Sequence, residues 1–197
     1  MGIGQVNRIT KSAIFLDRDG VLNHAIIRDG KPYPPKDLSE FRIVECAREQ
    51  LVRLKAMGFV LFIVTNQPDI ARGTQTLTRL EEINQRLRQE LPIDDIFTCP
   101  HDNKDKCECR KPAPGLLQKA ATRYGIDLQN SFLIGDRWRD IDAGHAAGCT
   151  TVMIDYGYDE QGPAKEPALR VSTLAEAVSF IEKRKAEQTV ANYDNLN

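Results

Sequence analysis

Short apolar runs alternate with amphipathic helical patterns along most of this chain, and this alternation restricts the fold more than any other feature. Five runs are predicted to be buried strands, because they are short, rich in β-forming residues and bounded by turn residues. They cover residues 13–16, 59–64, 96–99, 131–134 and 151–154. Strands that alternate with helices form βαβ units. The sequence therefore predicts an α/β fold with three layers: a central parallel sheet of about five strands and helices on both faces.

The helical segments carry recognisable start and stop signals. Thr78 followed by Glu81, and Thr173 followed by Glu176, are capping boxes that predict the first residues of two helices. Gly125 is predicted to end another helix, because glycine readily adopts the left-handed conformation found there. These signals predict a single domain over residues 12–185. Flexible tails are expected at residues 1–11 and 186–197, where few residues could pack against a core.

Length and charge narrow the class of protein. The 197 residues suffice for one domain with a substantial core. The formal net charge is −1, so no strong field indicates binding to nucleic acid or to an acidic membrane surface. No apolar run approaches the roughly 20 residues that span a bilayer, and the first 12 residues lack the core of a secretory signal. We expect a soluble, cytoplasmic protein, a monomer or weak homo-oligomer, that binds a small neutral or anionic ligand.

Two carboxylates follow the first apolar run. Residues two apart in an extended chain project to the same side, so Asp17 and Asp19 are expected to face one site. Carboxylate pairs suit a hard cation such as Mg²⁺, and they could also supply a nucleophile and a proton carrier. The alternative is a strand that ends in an ordinary Asp-Gly turn. The pair alone does not decide between these interpretations.

Other polar residues follow the remaining predicted strands. Ligands bind beyond the carboxyl ends of the strands in an open parallel sheet, so these residues are expected to lie together. Lys111 also precedes a predicted helix. Four carboxylates, a hydroxyl and a lysine at one edge are a suitable set for Mg²⁺ and a phosphate. The additional members of this set are Thr65, Asn66, Gln67, Asp136, Arg137 and Asp140.

Three of the five cysteines lie in one short segment with a histidine. Cys99, His101, Cys107 and Cys109 follow the pattern C-x-H, five residues, C-x-C. Four such ligands match a closed tetrahedral Zn²⁺ site with no position for water, which indicates a structural role for the loop at residues 99–109. The alternative, three incidental thiols, is disfavoured because the intervening residues are too polar to bury them. A metal site also suits a reducing compartment.

These motifs together resemble those of the haloacid dehalogenase superfamily. The matching segments are DRDG at 17–20, TNQ at 65–67, Lys111, and GDRWRD at 135–140. The resemblance implies that Asp17 is a nucleophile that becomes phosphorylated and that Asp19 is the general acid and base. It further implies that Mg²⁺ is held by Asp17, the backbone oxygen of Asp19 and Asp136, with Asp140 in or near the second shell. Thr65 and Lys111 would hold the phosphoryl oxygens.

The predicted zinc loop resembles that of a small branch of this superfamily with a minimal cap, which contains heptose 1,7-bisphosphate and histidinol-phosphate phosphatases. DGVLN and the RKP motif followed by Pro114-Gly115 favour the heptose group. The resemblance implies removal of the C7 phosphate from a heptose bisphosphate in the formation of nucleotide-activated heptose for lipopolysaccharide. The expected substrate-binding residues are Asn23, Arg28, Thr65, Asn66, Gln67, Arg72, Arg110, Lys111 and Arg137.

Several residues depart from the pattern of the heptose group. Pro68-Asp69 replaces a small Ser-Gly pair, and Arg137 replaces a lysine. Both changes affect the expected substrate-binding region and leave the phosphoryl-transfer residues intact. A histidinol-phosphate phosphatase, or a phosphatase for another polysaccharide sugar, therefore remains an alternative. A phospho-accepting signalling or binding module is the alternative from a different class.

Overall fold

A computed structural model describes residues 11–194, with side chains described as far as residue 188. The described residues form a six-stranded parallel sheet and a separate two-stranded hairpin. The strands are β1 (Ala13–Leu16), β2 (Ile26–Arg28), β3 (Lys31–Tyr33), β4 (Val60–Asn66), β5 (Asp95–Cys99), β6 (Phe132–Gly135), β7 (Thr150–Ile154) and β8 (Leu169–Val171). The order in the large sheet is β5-β4-β1-β6-β7-β8. The predicted α/β fold with a parallel sheet is confirmed.

Five α-helices connect and flank these strands within the described range. They are α1 (Ala47–Ala56), α2 (Leu77–Glu90), α3 (Gly115–Tyr124), α4 (Trp138–Ala147) and α5 (Leu174–Asp194). None of them is long and apolar enough to cross a membrane.

The sheet is buried on both faces, which explains why its strands are apolar without alternation. Ile14 and Leu16 of β1 belong to a cluster that packs against α1, α2 and α5. Ala13 and Phe15 belong to a second cluster on the opposite face, which includes residues of α3 and α4. Successive residues of a strand point to opposite faces, so one strand contributes to both cores. The result is the predicted three-layer arrangement with β1 at its centre.

Several local predictions are wrong. The N-cap of α2 is Thr76, whose hydroxyl accepts a hydrogen bond from the backbone N–H of Arg79 (3.3 Å), and Thr78 lies inside the first turn. Either threonine could cap this helix, and the helix that follows Thr76 is the longer of the two. The predicted capping box at the start of α5 is close to the observed one, because Thr173 accepts from the N–H of Glu176 (3.2 Å).

The C-terminal tail is also different from the prediction. Helix α5 continues to Asp194, so most of the segment 186–197 is helical. The segment contains no glycine or proline before that point, and nothing in its local chemistry ends the helix. The predicted N-terminal tail at 1–11 lies outside the described residues except for Lys11, whose backbone pairs with Ile126.

Two strand regions are absent from the sequence prediction. β8 is a short edge strand that pairs with β7. β2 and β3 form an antiparallel hairpin in the proline-containing segment after β1, where Pro32 lies opposite Ile27. Proline lacks the N–H of a ladder, so it normally argues against a strand, yet a two-stranded hairpin leaves one edge of each strand unpaired.

Candidate active site

The site lies at the centre of the sheet, beyond the carboxyl end of β1. The chain runs from β1 to β4 on one side and later returns to β6 on the other, so a crevice opens between the two connections. Asp17 directly follows β1, and its backbone N–H donates to the Ile134 carbonyl of β6 (2.9 Å). A cavity of about 220 Å³ opens here and is lined by Asp17, Asp19 and Thr65, among others.

Lys111 is buried between two carboxylates. Its Nζ donates to Asp17 Oδ1 (2.8 Å) and to the Val64 carbonyl (2.7 Å), and it lies 2.5 Å from Asp140 Oδ1. The charges of Asp140 and Asp17 raise the pKa of Lys111 even though burial alone would lower it. Burial raises the pKa of Asp17 from 3.8 to about 6, and the attraction of Lys111 opposes this change. Because Lys111 binds Oδ1 of Asp17, the other carboxylate oxygen, Oδ2, remains free to face a ligand.

Asp136 lacks the partners that a buried carboxylate normally has. It is almost fully buried, and among the described residues only the Tyr158 hydroxyl interacts with its oxygens, without forming a well-aligned hydrogen bond. Burial, followed by the charge of Asp17, raises the pKa of Asp136 well above its usual value. Asp17, Asp136 and Asp140 can each direct one oxygen into a space only a few ångströms across. Unpaired buried carboxylates are costly, so this cluster fits a bound divalent cation.

Gly20 makes the close packing around Asp136 possible. A Cβ at this position would lie 1.9 Å from Asp136 Oδ2, and the φ of Gly20 is +93°. Both the contact and the backbone conformation exclude other residues. Gly20 of the DRDG motif is thus part of the structure that holds Asp136.

Asp19 is held by a set of buried donors. The Arg18 side chain is fully buried and donates through Nη2 to Asp19 Oδ2 (2.9 Å). Asn23 Nδ2 donates to Oδ1 (3.0 Å), and Gln67 Nε2 donates to Oδ2 (2.8 Å). Asn23 and Gln67 are both fully buried. Their prediction as substrate-binding residues stays a prediction, and in the structure the amide group of each is directed at Asp19.

Asn66 and Thr65 occupy the end of β4. The Asn66 side chain bonds both backbone groups of Lys111, donating to its carbonyl (3.0 Å) and accepting from its N–H (3.1 Å). Asn66 lines the cavity but its amide fixes the position of the lysine. Thr65 Oγ1 accepts from Gln67 Nε2 (2.9 Å), which leaves the hydroxyl hydrogen free to donate to a ligand in the cavity.

Arginines form the rim of the cavity. Arg72, Arg110 and Arg137 line it as predicted. Arg72 pairs with Asp102 (2.8 Å), Arg110 Nε donates to Asn103 (2.8 Å), and Arg137 Nε donates to Glu160 (2.9 Å). These contacts orient the three guanidinium groups. Asp69 and Glu160 lie in the same lining, so the rim presents charges of both signs among which the basic groups predominate.

Two basic residues of the rim are absent from the sequence prediction. Lys31 and Arg139 line the cavity. Arg28 is not among the described lining residues; it is exposed, and its Cζ lies 5.7 Å from the Tyr33 ring centroid. Arg28 and Lys31 lie on the two strands of the hairpin, which the sequence did not predict. Arg139 lies in the GDRWRD motif, so its position was available as a signal.

A second constellation is formed by Cys99, His101, Cys107 and Cys109. Cys109 Sγ lies 3.1 Å from Cys99 Sγ, 3.4 Å from Cys107 Sγ and 3.2 Å from His101 Nδ1. None of these cysteines is in a disulfide. Four soft or borderline donors that converge in this way fit a metal ion of the Zn²⁺ type. Arg110 Nη1 donates to the His101 carbonyl (3.2 Å), so this loop also supports the rim of the cavity.

Comparisons with known proteins agree with this geometry. The HAD-hydrolase-like family model matches residues 108–178. A D-glycero-beta-D-manno-heptose-1,7-bisphosphate 7-phosphatase of Pseudomonas aeruginosa is 36% identical over 154 residues, covering 76% of this chain and 84% of that protein. The corresponding phosphatase of Pasteurella multocida is 38% identical over 161 residues, covering 75% and 83%.

Solved structures lead to the same family. The D,D-heptose 1,7-bisphosphate phosphatase of B. bronchiseptica, complexed with magnesium and phosphate, matches with a TM-score of 0.75 and 31% identity over 88% of this chain and 99% of that one. A putative HAD-like phosphatase from Mesorhizobium loti matches with a TM-score of 0.70 and 29% identity over 93% and 91%. The chain therefore belongs to the haloacid dehalogenase-like phosphatases, in the group of the heptose 1,7-bisphosphate 7-phosphatases, and is a phosphoric monoester hydrolase.

Proposed function

We propose that this protein is a Mg²⁺-dependent phosphatase that converts D-glycero-D-manno-heptose 1,7-bisphosphate into the 1-phosphate by removing the C7 phosphate. The product would serve the formation of nucleotide-activated heptose. One observation carries the proposal: the cavity joins a buried carboxylate and lysine pair, Asp17 and Lys111, to a rim of arginines. The pair suits the phosphoryl group that reacts, and the rim suits a second anionic group on the same substrate.

Asp17 is the proposed nucleophile. Its Oδ2 would attack phosphorus while Oδ1 keeps its hydrogen bond to Lys111, and the bond from phosphorus to the sugar oxygen would break. The result is an aspartyl phosphate and the free sugar hydroxyl. Thr65 would donate a hydrogen bond to one phosphoryl oxygen, and Lys111 would turn a donor from Asp140 or the Val64 carbonyl to another, where negative charge is concentrated. Asn66 would act indirectly, because its amide holds the backbone of Lys111.

Asp19 is the proposed general acid and base. It would donate a proton to the departing sugar oxygen and then remove a proton from the water that attacks the aspartyl phosphate. This second attack releases inorganic phosphate and restores the Asp17 carboxylate. Arg18, Asn23 and Gln67 would keep the Asp19 side chain in the orientation that these transfers need, since all three donate to its oxygens.

The proposed cofactor of this reaction is Mg²⁺, held by Asp17, Asp136 and the backbone oxygen of Asp19. When bound, it neutralises charge on the phosphoryl group and on the nearby carboxylates. Asp136 supports the assignment most strongly, because its two buried oxygens have no cationic partner and no well-aligned hydrogen bond among the described residues. Asp140 is shared with Lys111, which is consistent with a place in or near the second shell of ligands.

The ion proposed for Cys99, His101, Cys107 and Cys109 is Zn²⁺ in a structural role. All four side chains converge, so no position remains for a reacting water. The loop is joined to the cavity through the hydrogen bond from Arg110 to the His101 carbonyl. Its effect on catalysis would therefore be to hold Arg110 and Lys111 in place.

Charge separates this proposal from its closest alternative. Histidinol phosphate carries an ammonium group beyond its phosphate, and a rim that contains Arg110, Arg137 and Lys31 would repel it. A second phosphate would be attracted instead. The phospho-accepting module is disfavoured because a stable phosphoaspartate has no use for an adjacent acid and base such as Asp19. We further propose a cytoplasmic protein that requires no nucleic acid, membrane or partner chain for this reaction.

Phosphate release tests the proposal. The purified protein would be assayed with Mg²⁺ on both anomers of heptose 1,7-bisphosphate, on fructose 1,6-bisphosphate and on histidinol phosphate. We expect the highest kcat/KM with one anomer of the heptose bisphosphate, with loss of the C7 phosphate. A preference for histidinol phosphate would overturn the substrate, and no release from any of them would overturn the enzyme assignment.

A further inference from the structure

We infer that Arg139 is a specificity-determining residue that binds the second anionic group of the substrate, the one that is not hydrolysed. The inference rests on the proposed function and extends it to a residue that the motif assignments leave without a role. Arg139 lies on the first turn of α4, directly after Trp138, and lines the same cavity as Asp17.

Arg139 is the rim arginine whose guanidinium has no hydrogen-bond acceptor among the described residues. Arg72, Arg110 and Arg137 each donate to a side chain of the protein. The Arg139 Cζ lies 4.4 Å from the centroid of the Trp138 ring. Stacking on an aromatic face fixes the plane of a guanidinium while its N–H donors remain available at the edge. Arg139 is therefore oriented and still able to bind a planar or tetrahedral oxyanion.

The charges around Arg139 point to an anionic ligand. Arg139 lines the cavity together with Arg110 and Arg137, and like charges in one cavity repel each other. Arg139 also lies at the N-terminal end of α4, where the helix dipole disfavours a cation. It is half-buried and forms no ion pair with a described carboxylate. A phosphate that contacts Arg139 and Arg110 would remove this repulsion.

The presence of Arg139 and Asp17 in one cavity defines the chemical class of ligand. Asp17 and Lys111 would hold the reacting phosphoryl group, and Arg139 belongs to the cationic rim of the same cavity. A substrate that satisfies both must carry two phosphates, or a phosphate and another strong anion, on one sugar. A monophosphate of the same sugar would contact the reacting end only.

The test compares two substrates in four proteins. Heptose 1,7-bisphosphate and heptose 7-phosphate differ only in the second phosphate, and would be assayed with wild type, Arg139→Gln, Arg139→Lys and Arg184→Gln. Arg184 is a matched control, because it also stacks on a neighbouring ring (5.7 Å from the Phe180 centroid) but is exposed on α5. We expect Arg139→Gln to lower kcat/KM for the bisphosphate by roughly 10- to 100-fold, the range for a charged hydrogen bond, and to leave the monophosphate within about 2-fold.

Further outcomes separate binding from folding and from the proposed function. Arg139→Lys should recover part of the loss, Arg184→Gln should change neither substrate, and the Tm of Arg139→Gln should not fall. Equal losses on both substrates, a fall in Tm that accounts for them, or full retention of the preference for the bisphosphate would overturn the role of Arg139. If the wild type itself shows no preference for the bisphosphate, the proposed function fails, and the role of Arg139 fails with it.

Discussion

Replacing Asp17 by asparagine is expected to abolish phosphatase activity and yet to stabilise the protein in Mg²⁺-free buffer. The Asp17 carboxylate is buried beside Asp136 and Asp140, and its pKa is raised from 3.8 to about 6 mainly by burial. One pKa unit is equivalent to about 1.4 kcal/mol. At pH 7.5 the ionised carboxylate therefore lowers the free energy of unfolding by at most about 3 kcal/mol, and a neutral amide removes only part of this penalty, because the buried Lys111 loses one carboxylate partner and keeps Asp140.

The pH dependence of the free energy of unfolding tests the direction of this effect separately. A folded state with the higher pKa retains a proton that the unfolded state releases, so wild-type stability should fall as the pH rises from about 4 to about 6. Asp17→Asn should lack this part of the decrease. Urea unfolding across this pH range measures both effects, and saturating Mg²⁺ should stabilise the wild type and reduce the difference.

Asp19→Asn is the matched control for this substitution and should have the opposite effect. Asp19 is the carboxylate bound to the fully buried Arg18, so removing its charge leaves a buried cation without a partner, which costs about 3 kcal/mol or more. The reasoning would be refuted if Asp17→Asn were less stable than wild type in Mg²⁺-free buffer at pH 7.5. It would also be refuted if the two variants changed stability in the same direction.

Three other substitutions test separate parts of the site. Gly20→Ala places a methyl group against Asp136, so Mg²⁺ affinity and kcat should both fall, the latter by about 100-fold; unchanged Mg²⁺ dependence of the rate would contradict this. Cys109→Ser should reduce the zinc content measured by elemental analysis and should lower Tm. Some phosphatase activity should remain, because the zinc loop acts on catalysis only indirectly. Full zinc content in this variant would exclude the site. Gln67→Met keeps the volume but removes the donor to Asp19, so kcat should fall about 10-fold with little change in Tm, and an unchanged kcat would exclude this role.

The position of the site could be predicted from the sequence because it depends on topology. Once the apolar runs are taken as parallel strands, the residues that follow them must meet at one edge of the sheet. Asp17, Thr65 and Asp136 meet there for this reason. The cluster of cysteines and a histidine was equally predictable, since short spacing in a polar loop brings Cys107 and Cys109 together without any help from the rest of the fold.

The direction of individual side chains could not be predicted in this way. Asn23 and Gln67 lie close in sequence to the residues proposed to bind the substrate. Their amide groups nevertheless point inward and donate hydrogen bonds to Asp19. Turns after strands permit either orientation, and the choice depends on which buried group needs a donor. In this protein the buried group that needs donors is Asp19, a carboxylate that lies next to the cavity and is mostly enclosed.

Residues that irregular segments bring to the cavity could not be predicted from the sequence either. Lys31 reaches the cavity because a proline-containing segment forms a hairpin, whose register places Lys31 opposite Arg28. The pairing depends on contacts of the turn with other loops, such as the bond from the Asp159 N–H to the Gly30 carbonyl (3.1 Å). Such contacts join segments far apart in sequence, and no local pattern encodes them.

The most direct test of the account is chemical trapping of the phosphorylated enzyme. The protein would be mixed with heptose 1,7-bisphosphate and Mg²⁺, quenched in acid during turnover and treated with borohydride, which reduces an aspartyl phosphate to homoserine. Mass spectrometry of the peptide that contains residues 13–28 should show this conversion at Asp17 and at no other carboxylate, and Asp17→Asn should show none. Conversion at another residue, or turnover without any trapped aspartate, would contradict the assignment of Asp17 as the nucleophile.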